Sequence, residues 1–307
     1  MKEQSLFLRI LPYLLVAVAP LCWAGNIVLA RGIIHMIPPV SLSFWRWTVA
    51  FLVLLPFTHR HALRDRATVA RHWKIMLVLS VLGISCFNTL LYTAVHTITA
   101  INGALIQTTM PAFIIVISLL LYKEKVSLLQ SLGVFLCIFG AVLVVLRGDL
   151  SAFLSMSFAQ GDALMLLAVL LYALYTVLLR KRPLIHPLSF VTYTFGIGSL
   201  AILPLYVWEN MHCEPYAVTL PVILSILYVS VFPSIVAYLC WNRGAESIGP
   251  NKTGLFVNLI PVFASIMAIV WLGETLRAYH VWGMLLIFGN ASFQPEVKCM
   301  FSDRLFC

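Results

Sequence analysis

The sequence predicts an all-α integral membrane protein: ten transmembrane helices arranged as two inverted five-helix repeats, with the tenth helix truncated. Three observations carry this. Apolar residues make up 62% of the 307 and charged residues only 10%, whereas an ordinary soluble domain is nearer half apolar and a quarter charged. Apolar runs of about 20 residues, the length that crosses a bilayer, recur along the chain. A pattern in the first half also returns about 150 positions later, with its prolines and glycines in the same places.

The runs lie at 10–30, 40–57, 75–95, 101–122, 129–146, 162–179, 188–208, 218–241 and 253–272, and a tenth, short one starts near 279. No stretch between them is long enough to build a separate soluble core. The first run lacks a small-residue cleavage site and leads directly into further spans, so it reads as a helix and not as a removable signal peptide. The seven Cys are scattered singly, with no CxxC or Cys/His spacing. Neither a disulfide frame nor a metal site is expected from them, and no cofactor.

Orientation follows from the basic residues. With the N-terminus inside, inside segments hold 16 Lys and Arg, among them Arg60, Arg64, Arg66, Arg71 and the Arg180–Arg182 cluster. Outside segments hold only Arg31, Arg147 and Arg277, and Arg46 lies within a span. That bias places both termini in the cytoplasm. The net charge of +9 is therefore a topology signal, and no nucleic-acid partner is expected; the partners expected are membrane lipid and a small solute.

The repeat is clearest between MPAFIIVISLLLYKEKVSLLQSLG, from Met110 to Gly133, and IPVFASIMAIVWLGETLRAYHVWG, from Ile260 to Gly283. At a shift of 150, Ala94 falls on Gly244, Ala104 on Gly254, Pro111 on Pro261, Glu124 on Glu274 and Gly133 on Gly283. The halves are 1–150 and 151–307, each with five spans, and an odd number of spans turns the second copy over. Inverted repeats of this kind enclose a midplane site in transporters, where it opens to either side in turn.

The segments CWAGNIVLARGI, PPVSLSFWRW, AVHTITAINGALIQTTMPAF with its LYKEKV tail, and GAESIGPNKTGLFVNLIPVFASIMAIVWLGET together resemble the EamA family of the drug/metabolite transporter superfamily. The resemblance covers about residues 10 to 289. It implies a bacterial inner-membrane protein that transports, most often exporting amino acids or other metabolites, and it does not imply a substrate. It also implies a peripheral fifth helix in each half that supports packing and dimer contacts, hence a homodimer. Family members finish the tenth helix apolar, whereas here YHVWGMLLIFG turns into the atypical tail NASFQPEVKCMFSDRLFC, from about 290 to 307. Loss of stability is expected from that departure.

All eleven acidic residues fall in loops or at span ends. No carboxylate is placed at mid-membrane to couple protons. There is no HExxH, no paired carboxylates and no GxxxxGK[ST] loop, so neither an enzyme nor an ATP-driven pump is expected. Polar side chains on helical faces are the better candidates. Ser85, Asn88, Tyr92 and His96 share one face of the third span, and Ser230, Ser234, Tyr238 and Asn242 one face of the eighth. Asn88 falls on Tyr238 and Tyr92 on Asn242 under the repeat. Amide and phenol groups on a cavity wall suit a small polar or zwitterionic solute with an apolar part; interhelical hydrogen bonding is the alternative.

Trp23 with Asn26, and Tyr172 with Tyr175, are each three apart on one face. They either wall the cavity for an apolar group or a cation, or simply pack. Arg46, between Trp45 and Trp47, either binds a substrate carboxylate or snorkels to the headgroups. Gln107 and Asn258, near Pro111 and Pro261, are expected to satisfy backbone groups that the prolines disrupt. Glu124 and Glu274 end their spans and are expected to cap the helix that follows, with gating as the alternative. Two other functions remain open. A carrier of a nucleotide-linked or lipid-linked sugar would call for several cavity-facing basic residues, and only Arg46 qualifies. A membrane receptor or sensor would lack the inverted repeat.

Overall fold

A computed structural model describes residues 2–123, 127–146, 160–248, 253 and 256–291. Glu124, the side chain of Asn242 and the tail from 292 lie outside the described residues. Among them every regular element is helical: α1 (Lys2–Gly32), α2 (Pro39–Arg71), α3 (Trp73–Ser80), α4 (Phe87–Ala94), α5 (Ala100–Gln107), α6 (Met110–Tyr122), α7 (Leu128–Val145), α8 (Gln160–Leu178), α9 (Pro187–His212), α10 (Leu220–Val231), α11 (Ala237–Ile248), α12 (Leu259–Leu272) and α13 (Ala278–Ala291). Among the described residues, seven stretches, several built from consecutive helices, are long and apolar enough to cross a membrane: Leu11–Gly32, Pro39–Arg71, Trp73–Ala94, Ala100–Tyr122, Gln160–Lys181, Pro187–His212 and Leu220–Trp241. Shorter apolar helices run at Ser131–Val145 and Phe256–Leu272.

The spans pack through small residues. Ala19, Ala24, Ala94, Ala100, Ala104, Ala168, Ala264 and Ala268 are fully buried between helices. Lipid tails are as apolar as Leu, so membrane helices associate by close approach at small side chains. Many bulky apolar residues point outward, as Leu120, Phe135, Leu200 and Val270 do, while others such as Ile27, Leu91, Ile101 and Leu105 fill the space between the helices.

The two repeats match down to their irregularities. The third span widens into a π-helical turn at Val81–Cys86, and the eighth does the same at Phe232–Val236. Both α6 and α12 end on a left-handed residue, Lys123 at φ 53° and Gly273 at φ 66°, positions that superpose at a shift of 150. The prolines also correspond, but they do not bend continuous helices. Pro111 begins a new helix after a break at Thr108–Thr109, and Pro261 follows a 3₁₀ turn at Phe256–Asn258. A proline fixes φ and lacks an N–H, so it fits the first turn of a helix better than its middle.

Direction can be read from one contact. Glu274, just past the end of α12, meets the start of α5, whereas α5–α6, the repeat mate of α12, ends at Lys123, a full span away. The mates therefore run in opposite directions, as an inverted repeat requires. Packing follows the same symmetry: α2 lies on α9, α7 on α13, α1 on α11 and α12, and α8 on α4 and α6. The described part of α13 covers 14 residues, about 21 Å along its axis.

Candidate functional site

The π-helical turn of the eighth span has a local cause. Pro233 has no N–H to give to the carbonyl of Val229, and the Ser234 hydroxyl donates to that carbonyl instead, at 2.8 Å. The turn closes by Ala237 N–H donating to Phe232, one residue further back than in an α-helix. The Pro233 carbonyl accepts from Trp23 Nε1 at 3.1 Å, which ties α1 to this turn. In the third span, Ser85 donates to the Gly198 carbonyl of α9 at 2.8 Å. π-helical turns are frequent at functional sites, and these two flank one polar cluster.

That cluster is built on Arg46, which is 4% exposed. Burial removes the snorkelling alternative: the guanidinium points into the bundle. Its Nε donates to Ser234 at 2.9 Å, and its Nη1 to Asn26 Oδ1 at 2.9 Å, Asn88 Oδ1 at 2.7 Å and the Tyr92 hydroxyl at 2.7 Å. Tyr92 in turn donates to Asn26 Oδ1 at 2.7 Å. Residues expected on three separate spans thus meet at one point, with Ser234 from the other repeat. Every partner is neutral. Among the described residues no carboxylate pairs with Arg46, so a full positive charge sits in the bundle without a counter-charge.

Aromatic rings surround it. The guanidinium carbon lies 4.6 Å from the Trp47 ring centroid and 6.0 Å from that of Tyr92, geometry that favours a cation over a ring face. Tyr172 packs at 4.5 Å on Phe87 and at 5.1 Å on Tyr175. Tyr175 and Tyr238 pack against the Trp47, Ile84 and Phe195 cluster. Gly83 makes room for Tyr175, since a Cβ there would stand 2.6 Å from the ring. Trp23 packs against Trp241, the rings tilted by 51° with centroids 5.3 Å apart.

Several expected partners differ. Glu274 does not cap α13; its carboxylate accepts from the amides of Ala100 at 2.7 Å and Ile101 at 3.1 Å, at the start of α5. Gln107 does not repair the break before Pro111. The hydroxyls of Thr108 and Thr109 donate to the Leu105 and Ile106 carbonyls, and Gln107 Nε2 is buried without a partner. Ser230 donates to its own backbone at Ile226. His96 lies in the connection after α4, where burial first, then Arg31 and His35, lowers its pKa below the ordinary 6.5.

Four features have no counterpart in the sequence pattern. Glu209, near the end of α9 and 5% exposed, accepts from Val40 N at 3.0 Å, Ser41 N at 2.7 Å and Ser41 Oγ at 2.8 Å. With Glu274, and with Trp45 Nε1 donating to Tyr216 at 3.2 Å, it fastens the two repeats at one face. His280 accepts the Arg277 amide at Nδ1, so its Nε2 donates to Asn102 Oδ1, at 2.8 Å. An apolar groove of about 410 Å³ runs between α1, α10 and α12, past Leu29, Ile33, Tyr228 and Trp271. At the opposite face, the rings of His61 and His186 stack at 4.0 Å, and Asp65 accepts the His186 amide at 3.0 Å. Among the described residues no cluster of three or more His, Cys, Asp or Glu is placed to hold a metal.

Two inverted helical repeats closing on a polar cluster inside the membrane define a multi-pass membrane transporter. The sequence profile of the EamA-like transporter family matches residues 10–146 and again 159–293, and the chain belongs to that family. It is 29% identical over 266 residues to the "Uncharacterized transporter YyaM" of Bacillus subtilis (strain 168), across 84% of this chain and 85% of that one. An "Uncharacterized transporter" of Archaeoglobus fulgidus is 27% identical over 265 residues, across 85% and 89%. A solved crystal structure at 18% identity superposes with a TM-score of 0.60 over 92% of this chain and 95% of its own, which shows the shared fold.

Proposed function

We infer that the chain carries a small carboxylate-bearing metabolite across the membrane by alternating access, with Arg46 binding the carboxylate. The observation behind this reading is the uncompensated guanidinium. A charge buried without a partner is costly, and an ionisable group inside a membrane protein usually marks the transport route. An anion arriving at Arg46 removes that cost. The tyrosines beside it, Tyr172, Tyr175 and Tyr238, offer an amphipathic wall for an apolar side group. Amino acids and related compounds fit both requirements.

The bias of Lys and Arg supports an orientation with both termini cytoplasmic, and membership of the family supports a bacterial inner membrane. On that orientation the face fastened by Glu209 and Glu274 is the outer one, and opening it releases solute outward, as an exporter does. A sugar-nucleotide carrier is less well supported, because a diphosphate calls for several basic groups and Arg46 stands alone in the cluster. A homodimer through the peripheral α7 and α13 remains part of the reading.

Uptake by purified protein in liposomes, against a panel of labelled amino acids, amines and one nucleotide sugar, tests it. Saturable uptake of amino acids that Arg46→Gln abolishes is the expected result. Uptake confined to amines or to the nucleotide sugar, or unchanged in Arg46→Gln, overturns it.

A further inference from the structure

Trp47 carries a donor that nothing among the described residues uses. Its side chain is 5% exposed, and its indole Nε1 is buried with no hydrogen-bond partner. An indole N–H can only donate, and buried donors in folded proteins are nearly always paired. The ring is otherwise well used, lying beneath Arg46 and packing on Phe195 at 4.6 Å. A phenyl ring would serve that packing without leaving a donor stranded.

Arg46 holds a second unused donor group next to it. Its four hydrogen bonds leave from Nε and Nη1, and among the described residues Nη2 makes none. Two adjacent buried side chains thus keep back N–H groups, one charged and one neutral. The acceptors around them are already engaged: Asn26 Oδ1 takes Tyr92 as well as Arg46, and Asn88 Oδ1 takes Arg46. What is missing is an acceptor with more than one oxygen.

We propose that Trp47 is a specificity-determining residue of this site, its indole N–H donating to the carboxylate that Arg46 binds. The proposal rests on the reading of Arg46 given above and narrows it. One carboxylate oxygen meets Nη2 and the other meets the indole. A primary amide has a single acceptor oxygen and sets its NH₂ against one of the two donors, so the pair selects the carboxylate over its neutral isostere by an unfavourable contact as well as a favourable one. The ligand class is a small carboxylate with an apolar or aromatic group lying against the tyrosines.

Trp47→Phe tests this, because it keeps the ring under Arg46 and against Phe195 and removes only the N–H. In proteoliposomes the KM for L-phenylalanine is expected to rise about tenfold or more, the usual loss for one hydrogen bond to a charged group. The advantage of L-phenylalanine over L-phenylalaninamide as an inhibitor of uptake shrinks with it, and thermal stability in detergent is unchanged. In wild-type protein labelled with ¹⁵N-indole tryptophan, the Trp47 resonance, assigned by its loss in Trp47→Phe, moves when L-phenylalanine is added. An unchanged KM in Trp47→Phe, or an unmoved resonance, overturns the role of Trp47 while Arg46→Gln still abolishes uptake. Normal uptake in Arg46→Gln, or no wild-type uptake of L-phenylalanine or L-leucine, removes the carboxylate site and the proposal together.

Discussion

Removing the Glu209 carboxylate isolates the fastening between the repeats. It accepts three hydrogen bonds, two from amides at the first turn of α2 and one from the Ser41 hydroxyl, and it is 5% exposed. Glu209→Ala leaves three donors without their acceptor, the two of Ser41 fully buried, and takes a negative charge from a helix N-terminus. Hydrogen bonds to a charged group contribute about 1.5–3 kcal/mol each, and neighbouring losses do not add in full. The expected cost is roughly 3–5 kcal/mol, or about 6–10 °C of melting temperature at the ~2 °C per kcal/mol suited to a long chain. Glu209→Gln keeps one acceptor oxygen and loses about half as much by the same count. Thermal unfolding of purified protein in detergent, followed by tryptophan fluorescence, reads both. A Glu209→Ala melting temperature within about 2 °C of wild type refutes the claim that this carboxylate holds the face closed.

Gly83→Ala is expected to displace the Tyr175 ring, 2.6 Å from the added Cβ, costing about 1–3 kcal/mol and reducing uptake. Gly103→Ala, whose nearest neighbour would be 3.4 Å away, is expected to be tolerated in the same melting assay. Acidification should weaken the contact at His186. Its pKa is lowered from 6.5 by burial first and by His61 next, with Asp65 opposing, and its Nδ1 accepts the Leu188 amide. The folded form then binds protons less readily than the unfolded, so this stability is present above about pH 6.5 and lost as pH falls. His186→Asn, which caps without titrating, should flatten melting temperature between pH 7.5 and 5, and an unchanged slope contradicts the assignment. Replacing the tail after Gly289 with an apolar segment should raise thermal stability in detergent; no gain contradicts the expectation that the atypical tail costs stability.

The parts of this molecule legible in its sequence were those governed by period and repetition. Asn88 and Tyr92 sit four apart on one helical face, and Asn26 and Arg46 lie on neighbouring spans; burial pressure on polar groups in lipid then gathers them at one point. Contacts between the repeats were not legible. Glu274 caps α5 and not the adjacent α13 because the connection 273–277 lies over the start of the fourth span, which only the assembled fold reveals. Glu209 was passed over for the same reason, as a loop-end carboxylate with its partners 168 and 169 positions away. The π-helical turns had a readable sign, Pro233 in the eighth span and Gly83 in the third, but a proline alone does not say which neighbour takes the freed carbonyl. Trp47 looked like one of a pair of interfacial tryptophans flanking a snorkelling arginine, and only burial shows both side chains turned inward.

The central claim is that Arg46 recognises a carboxylate, and a two-by-two comparison tests it most directly. Inhibition constants of L-phenylalanine and L-phenylalaninamide would be measured for wild type and for Arg46→Gln in the same proteoliposome uptake assay, with L-leucine as the transported solute, or by binding where uptake is lost. The account predicts a preference for the carboxylate of about tenfold or more in wild type, collapsing to near unity in Arg46→Gln. An equal preference in both proteins would show that the carboxylate is read elsewhere and contradict the account.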